Sequence, residues 1–267
     1  MRSFFRPCPS MKPAVVLLHS SMSTKAQWGE LVSQLSDGYR CIAVDLLGYG
    51  SAPFPAQLGP EYRHTLAHEI DAVNAAVAAH LQPGEAFHLI GHSYGGASAL
   101  HMARRMPERV LSLTVYEPVA FHLLPEQHPA RAEIVAVVER IKACAEAQDA
   151  TRIFIDYWNR TGSFDAAPAA AQAKMAGMIA KVKRDFEALL GEPATLEDLA
   201  ALTMPALVMS GLSSPASTRL LAEQLAQALP NATALQTRGG HMGPITHAAV
   251  VNPAIISFLS DAEITAG

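Results

Sequence analysis

The chain has 267 residues, 50% hydrophobic and 16% charged, enough apolar material for one large core. Its formal net charge of −4 removes the electrostatic case for nucleic acid or an anionic membrane as partner. Three cysteines without paired spacing (Cys8, Cys41, Cys144) and no apolar run near the roughly 18 residues of a membrane span argue for a reducing compartment, the cytoplasm.

Pro7, Pro9 and Pro13 interrupt the N-terminal segment before a signal-peptide core can form, so the sequons at Asn159 and Asn231 are expected to stay unmodified. Ala14 to His19 is a β-rich apolar run. Trp28, Leu31, Val32 and Leu35 then recur at helical spacing, and Tyr39 to Asp45 returns to a strand pattern. Leu66, Ile70, Val73, Val77 and Leu81 mark an amphipathic helix that Thr65 can cap. Phe87 to Ile90 reads as a strand, Ala97 to Met106 as a helix stopped by Pro107, and Val110 to Tyr116 as the next strand. From Val119 to about Thr203 the rhythm turns helical, as in Ile134 to Ala147 and Ala169 to Leu190, with Phe154, Tyr157 and Trp158 among the segments. Strand Ala206 to Ser210 follows, then a helix through Leu221, Leu225 and Ala228 closed by Pro230, a short strand Ala232 to Gln236, and a last helix from Pro253 to Leu259. Buried strands alternating with helices imply an α/β fold, a mostly parallel sheet with helices on both faces. Residues 1–118 and 204–267 then form one core, and 119–203 a helical cap inserted at the carboxyl end of a strand, the edge where such sheets bind ligands.

Directly after the third strand comes Gly91-His92-Ser93-Tyr94-Gly95-Gly96. Glycines two positions either side of Ser93 permit a sharp strand-to-helix turn that lifts the hydroxyl above the strand end, the pattern of an activated nucleophile. Of the eleven histidines, His241, in Gly239-Gly240-His241-Met242-Gly243 before the last helix, is the favoured base. His19 and His92 are expected to be structural and His247 a rim residue. His64 and His68 stand at i and i+4 as a zinc pair would, but with no third ligand they are expected on a solvated helix face, and no metal or organic cofactor is implied.

These motifs and their order resemble the α/β-hydrolase fold superfamily, over nearly everything from Pro13 to Leu259. Leu17-Leu18-His19-Ser20-Ser21, followed by Trp28, resembles that family's strand-end His-Gly segment, with Ser20 where glycine is usual. The resemblance implies a serine hydrolase with Ser93 as nucleophile, His241 as base, and the backbone amides of Ser21 and Tyr94 as the oxyanion hole. It also implies that Asp45 shapes a loop and stands outside the triad. The family's usual acid position falls in Gly211-Leu212-Ser213-Ser214-Pro215, where Ser214 carries no charge. Some members place the acid one strand earlier, where Val115-Tyr116-Glu117-Pro118 offers Glu117; support through Ser214 is the alternative. The expected reaction is cleavage of a small to medium, largely apolar carboxylic ester or lactone through an acyl-enzyme, with Phe154, Tyr157 and Trp158 lining the pocket. Carbon–carbon hydrolysis of a diketone, and ligand sensing with weak turnover, are the alternatives; dehalogenation and epoxide opening are disfavoured because those relatives carry a carboxylate where Ser93 stands. With about a dozen residues before Ala14 in place of the family's antiparallel strand pair, the sheet is expected to be N-terminally shortened. Tyr39 to Asp45 would then lie near an edge, covered by the N-terminal segment or by a second copy in a homodimer.

Overall fold

A computed structural model describes residues 12–55, 59 and 61–266; the expectations about Cys8 and about the leading segment as edge cover lie outside them. The described strands are β1 (Ala14–Leu18), β2 (Arg40–Val44), β3 (Phe87–His92), β4 (Val110–Tyr116), β5 (Ala206–Gly211) and β6 (Ala232–Thr237). All pair in parallel, in the order β2-β1-β3-β4-β5-β6. Successive strand residues face opposite ways, which accounts for the near-continuous apolar runs. Ala14, Val16 and Leu18 enter one core with Leu89 and Val208, while Val15 and Leu17 enter a second with Ile90 and Met209.

The first core is closed by α2 (Leu66–Ala78), α3 (Tyr94–Arg105) and α8 (Ala216–Ala228), and by residues of the helices between β4 and β5. The second is closed by α1 (Gly29–Leu35) and α9 (Ala248–Ala266), through Trp28, Leu31 and Leu35 against Val251, Ile255 and Leu259. Thr65 caps α2 as expected, in a reciprocal box with His68. The segment between β4 and β5 is helical: α4 (Pro129–Ala143), α5 (Ala147–Trp158), α6 (Ala169–Leu190) and the short α7 (Leu196–Leu199).

Several boundaries differ from the sequence expectation, each for a local reason. The strand before Ser93 runs on through His92, because Gly91 and His92 still pair with Val115 and Tyr116. The following helix accordingly starts at Tyr94. The run from Ile134 to Ala147 is two helices: Ile134, Val137, Val138 and Ile141 are the buried residues of the first, and Ala150, Phe154 and Trp158 begin a new apolar phase. Cys144 and Glu146 are extended between them. Pro253 lies inside the last helix rather than opening it; burial of Val251, Ile255 and Leu259 offsets the backbone bond that proline cannot donate.

The strand order reverses between β1 and β3, so the chain winds away in both directions from that junction and leaves a crevice beyond the carboxyl ends. Leu18 pairs with Gly91, and Tyr116 with both His92 and Met209, so the loops after β1, β3, β4 and β5 emerge at one end of the sheet. Those loops begin with His19, Ser93, Glu117 and Leu212.

Ile255, fully buried between α1 and the sheet, tests the second core. Ile255→Ala should lower the unfolding free energy by about 2–5 kcal/mol, read as a lower urea midpoint with unchanged slope.

Candidate active site

Ser93 has φ 56° and ψ −119°, a conformation that costs about 1–3 kcal/mol for a residue with a side chain and persists only where its surroundings enforce it. Here they do. A Cβ on Gly91 would lie 2.3 Å from the carbonyl oxygen of Gly95, and one on Gly95 would lie 2.4 Å from the carbonyl oxygens of both Leu18 and His19. The two glycines therefore let the start of α3 press directly on β1 and its own strand. Ser93 N–H donates to Tyr116 O at 3.0 Å, and Ser93 O accepts from Ala97 N–H at 3.0 Å.

The hydroxyl so presented meets His241. Ser93 Oγ lies 2.9 Å from Nε2, and Nδ1 lies 2.7 Å from Glu117 Oε2. The other carboxylate oxygen, Oε1, accepts the Gly211 amide at 2.6 Å. Glu117 is fully buried, at φ 41°, with its amide donated to Met209 O at 2.9 Å. Burial pushes its carboxyl up, but the His241 hydrogen bond and charge and the Gly211 amide together hold it below the usual carboxylate range. An ionised carboxylate only accepts, so the imidazole proton sits on Nδ1 and the Nε2 lone pair faces the serine. Ser214, the alternative support, is buried nearby, and its hydroxyl makes the smallest contribution to holding the Glu117 carboxyl down, after His241 and the Gly211 amide.

The loop carrying His241 is pinned from below. His92 Nε2 reaches His241 O at 2.8 Å, and Tyr116 Oη donates to Gly240 O at 3.0 Å. Trp158 stacks on the imidazole with ring centroids 4.1 Å apart and an interplanar angle of 27°, and Phe121 stacks on the indole in turn at 6.3 Å. Of the three aromatic residues expected at the pocket, only Trp158 touches this group. Phe154 packs behind it on Phe186, and Tyr157 turns its hydroxyl to Ser217 at 3.0 Å. A cavity of about 660 Å³ opens beside His241, with Trp158, Asn159, Arg160, Met242 and His247 in its wall.

After β1, the His19 ring accepts the Leu46 amide at 3.0 Å. Its burial lowers the imidazole to about 4, which keeps it neutral. Ser20, standing in a glycine position, is held by Gln27 Oε1, which accepts both its amide at 3.1 Å and its hydroxyl at 2.9 Å. Ser21 Oγ donates to Asp185 Oδ2 at 2.6 Å. Asp45 organises its own loop, accepting the amides of Lys25 and Ser51 at 2.8 and 3.0 Å. His247 is exposed on the cavity rim.

His64 corrects the sequence reading. It precedes α2 rather than riding on a solvated face, is 1% exposed, and reaches Glu69 Oε2 at 3.3 Å. Glu69 in turn belongs to a buried charged cluster with Lys181 and Asp185, which the sequence reading missed. A signal was present: Glu69 lies on the Leu66-Ile70-Val73 stripe, and Lys181 and Asp185 directly precede the buried Val182 and Phe186.

The family model for the alpha/beta hydrolase fold matches residues 13–248. The chain belongs to the α/β-hydrolase fold family. A cis-3-alkyl-4-alkyloxetan-2-one decarboxylase of Shewanella oneidensis is 35% identical over 115 residues, 43% of this chain and 35% of that protein. An uncharacterized carboxylesterase of Bacillus subtilis is 30% identical over 123 residues, 45% of this α/β hydrolase and 38% of the relative. The chain thus spans little more than a third of either relative's length. Among solved structures, a hydrolase from Pseudomonas aeruginosa superposes with a TM-score of 0.73 at 21% identity, covering 93% of this chain and 90% of the other. The enol-lactonase from Burkholderia xenovorans gives 0.71 at 19%, covering 93% and 92%. At such identities the superpositions speak for the fold alone. Among the described residues, no helix of this α/β hydrolase is long and apolar enough to cross a membrane.

Buried imidazoles give the fold a defined acid sensitivity. His19 and His122 both have folded values of about 4, lowered chiefly by burial from 6.5. Their stabilising contribution is complete above pH 6.5 and is lost as pH falls toward 4, because the unfolded chain takes up protons that the native state refuses. At pH 5 each should have cost about 2 kcal/mol relative to pH 7.5. Urea unfolding at the two pH values checks this, and His122→Asn should recover its own share of the loss.

Proposed function

We propose that this protein is a serine hydrolase that cleaves a small to medium, largely apolar carboxylic ester or lactone through an acyl-enzyme. The observation that carries the reading is the buried hydrogen-bond chain Ser93–His241–Glu117, at 2.9 and 2.7 Å, on a strained elbow. In this reading Ser93 Oγ attacks the carbonyl carbon as His241 Nε2 takes its proton, and Glu117 stabilises the imidazolium from Nδ1. The backbone amides of Ser21 and Tyr94 receive the oxyanion. The imidazolium then protonates the departing alkoxide, and His241 activates water for attack on the acyl-enzyme. Residues 119–203 act as a cap whose Trp158 lends apolar surface above the reacting centre. Two relatives support the substrate class in kind: one is named a carboxylesterase, and the other takes an oxetan-2-one, a strained cyclic ester. A carboxylate 2.7 Å from His241 Nδ1 favours turnover over the ligand-sensing alternative.

A fluorophosphonate should label Ser93, located by mass mapping, and Ser93→Ala should abolish both labelling and turnover of short p-nitrophenyl esters. Glu117→Gln preserves packing but exchanges charge for an amide, so kcat should fall by up to about 10⁴. Ser214→Ala should change kcat far less. The reverse order of these two variants would reject the assignment of Glu117.

A further inference from the structure

Both residues whose amides form the proposed oxyanion hole send their side chains away from the site, into the same buried cluster. Ser21 Oγ donates to Asp185 Oδ2 at 2.6 Å, and Tyr94 Oη donates to Glu69 Oε2 at 2.9 Å. Lys181 Nζ joins the two acceptors: it bonds Asp185 Oδ1 and reaches Glu69 Oε2 at 3.1 Å. The ammonium also lies over the rings of Tyr94 and Tyr49, at 4.7 and 4.9 Å from their centroids, and Tyr49 Oη donates to Asp185 Oδ2 at 2.5 Å. Glu69 additionally accepts the Leu47 amide at 2.7 Å.

Placing a lysine and two carboxylates at 2% exposure or less is expensive, and apolar residues of similar volume would hold the same helices together at least as well. Burial alone would lower the ammonium of Lys181, yet Asp185 and Glu69 keep it raised. Burial alone would raise Glu69, yet His64 and Lys181 bring it down to about 2. The cluster sets one ammonium between two carboxylates, with the Asp185 carboxyl raised chiefly by burial, and it offers directional hydrogen-bond geometry that a hydrocarbon core cannot. Its members come from α2 (Glu69) and α6 (Lys181, Asp185), while the groups they hold come from the loop after β1 and from the elbow.

We infer that Lys181 is a positioning residue for the oxyanion hole: through Asp185 and Glu69 it ties Ser21 to Tyr94, fixing the two amide-bearing backbones relative to each other. Lys181, Asp185 and Glu69 touch no reacting atom. They act by setting the separation of two donors, a quantity to which transition-state stabilisation is sensitive, since removal of a single such donor costs about 10²–10³ in rate. The inference rests on the assignment of Ser21 and Tyr94 to the oxyanion hole.

The test uses the full-length protein with Lys181→Met, which removes the bridge, and with Ser21→Ala and Tyr94→Phe, which each cut one tie while keeping every backbone amide and adding no unpaired charge. Three quantities are read: fluorophosphonate labelling of Ser93, the KM and kcat for a p-nitrophenyl ester, and the inhibition constant of a phenylboronic acid, whose tetrahedral adduct places an oxygen in the hole. For Lys181→Met, kcat and boronate affinity should fall together by about 10–100-fold with KM within about threefold, while Ser93 still labels. Ser21→Ala and Tyr94→Phe should each lose about 3–10-fold in both quantities, and the double variant should lose less than their product, because one tether serves both. If Lys181→Met fails to fold, the two single variants and their double decide the matter. Labelled variants with unchanged kcat and boronate affinity, or single losses that multiply, overturn the inference. A wild-type protein that neither labels nor turns over esters removes the hydrolase reading, and the inference with it.

Discussion

The contact of Gly95 with the carbonyls of Leu18 and His19 is the constraint on which the candidate site depends. It brings the start of α3 against the end of β1 with no side chain between them, and two consequences follow. Ser93 is forced to φ 56°, so its hydroxyl points out of the sheet rather than along it. The loop holding Ser20 and Ser21 is brought beside the elbow, so one close approach sets both the proposed nucleophile and its proposed oxyanion donors. Gly91 makes the same turn possible on the opposite side. Backbone strain at Ser93 and at Glu117, φ 41°, is affordable because the surrounding strands are buried and their hydrogen bonds fixed.

Much of this was legible in the sequence because it depends on short-range patterns. Strands buried on both faces read as continuous apolar runs, Thr65 announced its helix, and the spacing of Gly91, Ser93 and Gly95 reported the turn directly. Boundaries were harder where no residue marks a change of phase, as in the run that splits into α4 and α5 around Cys144. Proline misled at position 253, since the argument from its missing amide is local and the burial of Ile255 and Leu259 is not. Glu117 was reachable only as a choice between two strand ends. What decides its position is the packing of β4 beside β5, which lets the Gly211 amide and His241 converge on one carboxylate.

The burial of each charged residue left a trace in the sequence, but their meeting in one cluster did not, because its parts lie far apart along the chain: Glu69 and Lys181 are separated by 112 positions. Each looks like an ordinary solvated charge until it is noticed that it borders or interrupts an apolar stripe. His64 shows the same limitation, since its i, i+4 relation to His68 pointed to a helix face, whereas the helix begins after it and the ring turns inward to Glu69. The two halves of the site are thus held by different means. Carboxylate and backbone fix the histidine, and a buried lysine with two acids underlies the loop after β1.

The stack of Trp158 on His241 has a consequence for observation as well as for chemistry. The chain contains two tryptophans, and Trp28 is buried in the second core on the other side of the sheet. An indole 4.1 Å from an imidazole is quenched when that ring gains a proton, because the cation withdraws excited-state density across the contact. With Trp28 replaced by phenylalanine, the emission of Trp158 becomes an intrinsic optical gauge of the charge on His241, readable in the resting protein before any substrate is known.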